Sequence, residues 1–345
     1  MRSSTRFLAL TLFTLLGSTA CQTDTSGGAP DTATSAPDET PPQPGEIATL
    51  PPEPEASASS AFWDHWGDGR AELSSYTGKV SRYGELREAR AVLVYVTEPH
   101  DRRRWIKDDD VADEHRVEVL KLNRSIKFQT GVYPYSVLIS TFSPVADWGR
   151  EHRFQPTKIS MTAQEWCGQV FHALWPGPAR MLNALHSYFA SEGDRRRVEE
   201  IPKGALFEDA LFVQLRELDG DFAGGSDWEG KLVPGLWQRR KRHGSTDPVS
   251  ASIRREEVKW QGTPVTRFHV SADDRSLIID VERAEPHRIL HWKRSDGTEF
   301  HHRKTERLPY WKLNRPGDES KRRSFGLPPT HLNMRSEDDG DSKPR

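Results

Sequence analysis

Two residues with the chemistry of a nucleophile and a base lie close together near the middle of the sequence, Cys167 and His172. A cysteine becomes a nucleophile when a base lies within hydrogen-bond reach of its sulfur. A separation of five residues puts the two side chains on opposite faces of a strand, and about 140° apart on a helix. Local pairing is not predicted, so we interpret Cys167 as a buried thiol between Trp166 and Gly168. A hydrolase or transferase that depends on Cys167 is an alternative hypothesis.

Histidines on either side of Asp296 and Gly297 form a second group of candidates. If these two residues make a two-residue hairpin turn, His291 faces His302 across the hairpin. Two imidazoles supply half of a metal site, and spacing places no third ligand beside them. We therefore predict no metal and no cofactor, and interpret the histidines as part of a polar surface. The sequence also lacks a glycine-rich phosphate loop and a Gly-x-Ser-x-Gly elbow, so we predict that the protein is not an enzyme.

Composition narrows the class of protein further. The 345 residues combine 49 lysines and arginines with 51 aspartates and glutamates, and 34% of them are hydrophobic. This composition excludes a helical membrane bundle, and the net charge of −2 argues against a nucleic-acid partner. Two cysteines are too few for a disulfide-rich secreted scaffold.

The elements that must position these residues are mostly strands. From Ala61 onward, runs rich in β-branched and aromatic residues, such as Ala89–Thr97, alternate with turn residues. Residues 235–242 are also predicted as a strand. The predicted fold class is mainly β, with a large curved antiparallel sheet in the form of an open barrel or a sandwich.

One short helix is predicted to cover this sheet, between Gly204 and Leu218. Phe207, Leu211 and Leu215 recur at helical spacing and form a single apolar stripe. A helix this short is marginal without an apolar surface to pack against. We therefore expect a lid on the concave face of the sheet, with Phe207, Leu211 and Leu215 as candidate lining of a ligand cavity.

The N-terminus has the pattern of an export signal. Arg2 and Arg6 precede an apolar run, Phe7–Leu16, that is too short to span a bilayer as a helix. The small residues directly before Cys21 resemble the lipobox of bacterial lipoproteins. This resemblance implies cleavage before Cys21 and lipidation of its thiol and amine, which would anchor the chain to a membrane. The residue after Cys21 is Gln22 and not an aspartate, which by the same resemblance implies delivery to the outer membrane.

These signals divide the chain into four parts. Residues 1–20 are the predicted signal peptide. Residues 21–60 include eight prolines after the cysteine and almost no large apolar side chain, so they are predicted to be a disordered tether. Residues 61–332 form a single β-rich domain, and residues 333–345 a disordered tail.

Several segments of the β-rich part resemble an uncharacterised family of bacterial envelope proteins. The segments are Phe62–Trp66, Gly69–Leu73, Arg82–Glu85, Val119–Asn123, Phe128–Ser136, Gln164–Gly168 and Pro309–Trp311. Members are sometimes labelled septum formation inhibitor Maf. Maf proteins are cytosolic nucleotide pyrophosphatases that begin with Ser-x-Ser-Pro-Arg-Arg, and this chain has no such motif, so the label implies no catalytic residue. At fold level the chain also resembles periplasmic lipoprotein carriers, whose curved sheet surrounds an apolar cavity.

Three functions follow from these observations. The first is a membrane-anchored envelope lipoprotein that binds an apolar, lipid or glycan ligand in or on the curved sheet. The second is an envelope lipoprotein that docks on another protein, which is favoured if the sheet is fully packed and exposed aromatic residues remain. The third is the enzyme that depends on Cys167. All three place the protein in the cell envelope, at the outer membrane.

Overall fold

Most of the described chain folds into one curved sheet. The structure is a computed structural model, and it describes residues 42–218 and 227–328. The strands are β1 (Ala71–Arg82), β2 (Glu85–Asp101), β3 (Ile106–Lys107), β4 (Arg116–Thr130), β5 (Tyr133–Pro144), β6 (Lys158–Glu165), β7 (Gly168–Pro176), β8 (Arg180–Ser187), β9 (Asp194–Glu200), β10 (Leu206–Phe207), β11 (Trp228–Val233), β12 (Val249–Trp260), β13 (Thr263–Ala272), β14 (Arg275–Glu282), β15 (Ile289–Arg294) and β16 (Glu299–Leu308).

The helices are short. They are α1 (Pro44–Ile47), α2 (Ser60–Trp66), α3 (Leu211–Glu217) and α4 (Leu236–Arg242), with 3-10 segments at Asp113–His115, Glu208–Ala210, Tyr310–Lys312 and Asp318–Phe325. Among the described residues, none of the helices combines the length and the hydrophobicity that a membrane-spanning helix needs. The predicted signal peptide, Cys21 and the tail from residue 333 lie outside the described residues.

The sheet is an open path of mostly sequential neighbours. Its order is β10-β11-β12-β13-β14-β15-β16-β1-β2-β4-β5-β6-β7-β8-β9, and β3 pairs with β2 beside this path. Neighbouring strands of the described chain are antiparallel, apart from the parallel pair β10 and β11. The predicted mainly β fold with one large curved antiparallel sheet is confirmed.

The main hydrophobic core lies inside the curve of the sheet. It contains Leu122 of β4, Ile159 of β6 and Phe268 of β13, together with the apolar residues of α3. These strands are far apart in the sheet order, so their meeting in one core requires the sheet to curve around it. Burial of these apolar side chains is the main favourable contribution to folding.

A smaller core lies on the opposite face. Val119 of β4 belongs to it, whereas the next residue, Leu120, belongs to the main core. Adjacent strand residues point to opposite faces, so β4 separates the two cores. The smaller core is completed by Ile47 from α1 and by Trp105 and Trp148.

Residues 42–56, here called the N-terminal strap, pack on this outer face. The indole of Trp105 donates a hydrogen bond of 2.8 Å to the carbonyl of Ala48, and Ala56 forms a β-bridge with Asp147. Arg102 donates to backbone carbonyls of the strap, including that of Pro52 at 3.1 Å. The prediction of a disordered tether up to residue 60 therefore needs correction, because the packed part begins at residue 42. The residues that stabilise the strap lie about 50 or more positions further along the chain. Local composition therefore does not predict that the strap is ordered.

The predicted strand at residues 235–242 is wrong, since Leu236–Arg242 form α4. The backbone N–H of Leu236 donates to the carboxylate of Asp209 at 2.8 Å, which satisfies a donor at the helix start. The last turn carries four basic residues, which is favourable at the negative end of a helix dipole. Leu236 and Trp237 are buried, so this short helix is held by tertiary contacts.

Candidate functional site

The segment predicted as a lid fills the concave side of the sheet. Leu206 and Phe207 pair with β11 as a short strand, a 3-10 turn follows, and α3 starts at Leu211, so the single helix from Gly204 needs correction. Phe207, Leu211 and Leu215 are all buried in the main core. Every residue from Leu211 to Arg216 is buried, so α3 has no solvent-facing side. The curved sheet covers it from several directions, which a single apolar stripe does not predict.

A buried ion pair holds α3 in place. Arg216 donates two hydrogen bonds to Glu72 of β1, and both side chains are buried. The guanidinium also lies 5.0 Å from the ring centre of Trp66 and 4.5 Å from that of Tyr95. Burial alone would raise the pKa of Glu72, but the charge and hydrogen bonds of Arg216 hold it well below its usual range.

A second group of buried charges lies at the start of α3. Arg294 pairs with Glu208 at 2.6 Å, and Arg124 pairs with Asp209. Burial raises the pKa of Glu208, but Arg294 outweighs this effect and keeps the pKa below its ordinary value. The cavity beside these four residues has a volume of about 10 Å³. That is room for one water molecule at most, so this part of the concave face is closely packed.

An open groove lies on the outside of the domain. It has a volume of about 1430 Å³ and lies between the N-terminal strap, the loop at residues 102–104 and the loop at residues 113–116. Arg103 and Arg104 both bind the carboxylate of Asp101, and Arg102 binds the strap. Arg102, Arg103 and Arg104 are therefore engaged in holding the strap and the loop. Neither this groove nor the small cavity is lined by Phe207, Leu211 or Leu215.

Exposed aromatic and apolar side chains collect at one end of the sheet. The hairpins β1–β2, β4–β5, β6–β7 and β8–β9 follow one another in the sheet order, so their four tips lie at the same end. We call the following residues of these tips the aromatic rim: Tyr83 (56% exposed), Leu86 (52%), Val132 (77%), Trp166 (71%) and Tyr188 (66%). Large exposed apolar surfaces usually mark sites of interaction.

Contacts within and between neighbouring tips hold the rim. The hydroxyl of Tyr83 lies 2.8 Å from that of Tyr135, and the guanidinium of Arg82 lies 4.1 Å from the ring centre of Tyr83. In the next pair of hairpins, a Cβ built at Gly168 would lie 2.5 Å from the ring of Tyr188. Glycine at this position therefore allows the ring to lie against the backbone of the neighbouring tip.

Cys167 lies at the tip of the β6–β7 hairpin and is exposed. The interpretation of Cys167 as a buried thiol is therefore wrong. Its backbone N–H donates to the carboxylate of Glu165 at 2.6 Å, an arrangement typical of a tight turn. The turn directs Trp166 and Cys167 away from the core, which is the reason that apolar residue types are exposed here.

His172 is buried in β7 and binds Asn183. Its Nε2 lies 2.7 Å from the amide oxygen of Asn183, whose own amide nitrogen donates to Glu199 and Thr246. The Nε2–H tautomer of a neutral imidazole satisfies this contact. Burial lowers the pKa of His172 to about 4. The structure therefore uses His172 in a packed polar network.

The histidines of the β15–β16 hairpin pair differently from the prediction. His291 is opposite His301, and Lys293 is opposite Glu299. The backbone N–H of Arg294 donates to the carbonyl of Thr298, so the loop contains three residues, and its last residue, Gly297, has φ of 86°. A three-residue loop that ends in a left-handed residue shifts the register by one from a two-residue turn.

His302 consequently points to the other face of the sheet. Its Nε2 lies 2.7 Å from the hydroxyl of Thr305, and its ring contacts Tyr76 edge-on. The pairing of His291 with His302 is therefore wrong, and the residues that join His291 are Glu299 and His301. The Glu-x-His spacing on one strand, with period two, is the sequence signal that would have found them.

The fold defines the class of this protein: a mainly β domain built on one open curved sheet. No protein-family model matches the sequence, and no curated protein does. Among solved structures, it is similar to a β-barrel-like protein of a domain of unknown function, DUF1849, from Brucella abortus. The TM-score is 0.39 at 8% sequence identity, over 69% of this chain and 96% of that chain.

Proposed function

We propose that this protein is a membrane-anchored lipoprotein of the bacterial cell envelope, at the outer membrane, and that its β domain binds a partner protein through the aromatic rim. The observation that supports this function is the exposure of large aromatic and apolar side chains on four neighbouring hairpin tips. Tyrosine and tryptophan are enriched at the centres of protein interfaces.

The turns at the four tips carry few free charges. Residues 83–86, 131–133, 165–168 and 188–193 include three glutamates and no lysine or arginine. Glu192 is buried beside Arg239 and Arg240, and Glu85 pairs with Arg87 at 2.7 Å. An apolar surface with few free charges suits the centre of a protein interface, where charged residues are depleted.

Binding of an apolar ligand inside the curve of the sheet is the competing function. That function requires α3 to leave the core, because Leu211, Leu215 and Phe207 occupy the space that the ligand would need. The move would also break the buried pair of Arg216 with Glu72. We therefore place the binding surface on the rim.

We also propose that the domain binds and does not catalyse. Cys167 is next to Trp166 of the rim, so a Cys167→Ala variant tests both functions. We expect it to keep partner binding to within a few-fold, since the thiol adds little contact area. Selective loss of a chemical activity, with binding and stability intact, would support the enzyme instead.

Site-specific photo-crosslinking tests the rim. A photoreactive residue at position 166 or 188 of the full-length chain, in its native membrane, should give one discrete protein adduct. A photoreactive residue at Trp311, which is exposed away from the four tips, is the matched control and should not give it. With the purified adduct protein, Trp166→Ala should weaken binding roughly 30-fold, which corresponds to an interface residue worth about 2 kcal/mol.

Two results would contradict this function. One is stoichiometric lipid in mass spectra of the purified chain, released by Leu211→Asp but not by Trp166→Ala, which would place the ligand inside the sheet. The other is binding of a Cys21→Ser chain to phospholipid vesicles that depends on Trp166, which would make the rim a membrane surface.

A further inference from the structure

A cluster of two histidines and a glutamate lies on the face of β15 and β16 opposite the main core. His291, Glu299 and His301 each offer one ligand atom, and these atoms lie within 4.8 Å of one another. Nε2 of His291 is 3.0 Å from Oε1 of Glu299, and Nε2 of His301 is 3.8 Å from the same oxygen. Period-two alternation puts all three residues on one face, because His291 pairs with His301 in register.

A second layer of residues orients His291. Its Nδ1 lies 2.9 Å from Oδ2 of Asp280 on the neighbouring strand. Asp280 in turn accepts two hydrogen bonds from Arg267, at 2.7 and 2.9 Å. A carboxylate that binds one ring nitrogen of a histidine fixes the ring and leaves the other nitrogen for a metal.

The hydrogen-bond count at His291 also points to a cation. The imidazole lies between two carboxylates, those of Asp280 and Glu299. A neutral ring carries one N–H and can donate to only one of them. The other contact needs a second proton or a metal ion between Nε2 and Glu299.

The neighbouring groups leave ring nitrogens available. Nδ1 of His301 is buried and has no hydrogen-bond partner among the described residues. Trp260 stacks on both rings, with its centre 4.0 Å from that of His291 and 5.8 Å from that of His301. This indole covers the cluster and limits the access of water. His291 is only 3% exposed as a result.

We propose that Nε2 of His291, a ring nitrogen of His301 and the carboxylate of Glu299 bind one divalent transition-metal ion, of which zinc is the representative. Two imidazoles and one carboxylate suit zinc and its neighbours, whereas magnesium and calcium prefer oxygen ligands alone. Three protein ligands leave a fourth position of a tetrahedral ion open. This metal site is independent of the aromatic rim.

Metal titration of the full-length chain tests the proposal. The chain is purified in detergent without a histidine tag, stripped with EDTA and titrated with ZnCl₂ in a calorimeter. We expect one zinc ion per chain. His301→Ala removes a half-exposed ligand and should weaken zinc binding at least tenfold, and Asp280→Asn about 10- to 100-fold through loss of orientation.

Two variants outside the cluster are the controls. His302→Ala changes a histidine on the opposite face, and Cys167→Ser removes an exposed thiol that could bind zinc by itself. Both should bind zinc as the wild type does. Copper should quench part of the tryptophan fluorescence of the wild type, and Trp260→Phe should remove that part while zinc binding persists. Equal zinc binding by the wild type, His301→Ala and Glu299→Gln would overturn the proposal, as would the absence of saturable zinc binding by the wild type.

Discussion

Arg216 of α3 reaches Glu72 of β1 across 144 residues of sequence and binds both of its carboxylate oxygens, at 2.5 and 2.9 Å. Both side chains are buried. The pair fixes the helix inside the curved sheet at a defined depth and rotation. Each charge is the closest compensation of the other in this buried site, where Glu217 also lies 3.2 Å from Arg216 and His65 lies 3.4 Å from Glu72.

Removal of either partner should destabilise the domain strongly. We expect Arg216→Met or Glu72→Gln to lower the free energy of unfolding by about 3–5 kcal/mol, since each removes the closest opposite charge from a buried partner. The double variant should cost much less than the sum of the two single variants. Urea unfolding of all four proteins measures this coupling. Lys79→Ala, which breaks an exposed pair with Glu88, is the control, and it should cost less than about 1 kcal/mol. Additive costs for the buried pair would contradict the interpretation.

Leu211 tests whether α3 is part of the core. The side chain is fully buried, so Leu211→Asp should destabilise the domain by roughly 3 kcal/mol or more. Leu211→Ala should cost about 2–5 kcal/mol through loss of apolar contacts and formation of a cavity. Leu138→Ala, at an exposed leucine of β5, is the matched control. An unchanged melting temperature for Leu211→Asp would show that this helix faces solvent.

His172 should make stability depend on pH in the acidic range. Burial lowers its pKa from 6.5 to about 4, so the unfolded chain binds the proton more readily than the folded one. The stability that depends on neutral His172 is fully present above about pH 6.5 and is lost as the pH falls towards 4. The total loss in the free energy of unfolding is about 3 kcal/mol. His172→Gln should remove that part of the pH dependence of unfolding, whereas exposed His186→Gln should not. Parallel pH profiles for His172→Gln and the wild type would refute this assignment.

Cys21 should be needed for membrane attachment but not for folding. We expect Cys21→Ser to move the protein out of the detergent phase in a phase-partitioning experiment, because the acyl anchor is lost. Circular dichroism and the melting temperature should be unchanged, since the two hydrophobic cores of the described residues are built from side chains between Ile47 and Phe300. Incorporation of labelled fatty acid by the Cys21→Ser chain would show that the anchor is elsewhere.

The sequence predicts the strands better than their partners. Ala89–Thr97 lies within β2, because β-branched and aromatic residue types with bounded turns are a local signal. The start of α4 depends instead on Asp209, which is 27 residues earlier. The predicted pairing of His291 with His302 is wrong by one residue. Gly297 adopts a left-handed conformation that ends a three-residue loop, and the sequence does not specify this conformation. The aromatic rim also depends on sheet order, which brings four separate turns together.

The pairing of β1 with β16 has a consequence for how the chain folds. Ala71 lies opposite Leu308, so the first long strand and the last are neighbours in the middle of the sheet. Contacts between distant residues form slowly, because a long loop must close before they are gained. The two halves of the sheet can be joined only after β16 has left the ribosome. A chain cut short before Glu299 would leave the edges of β1 and β15 unpaired, and unpaired edges invite aggregation.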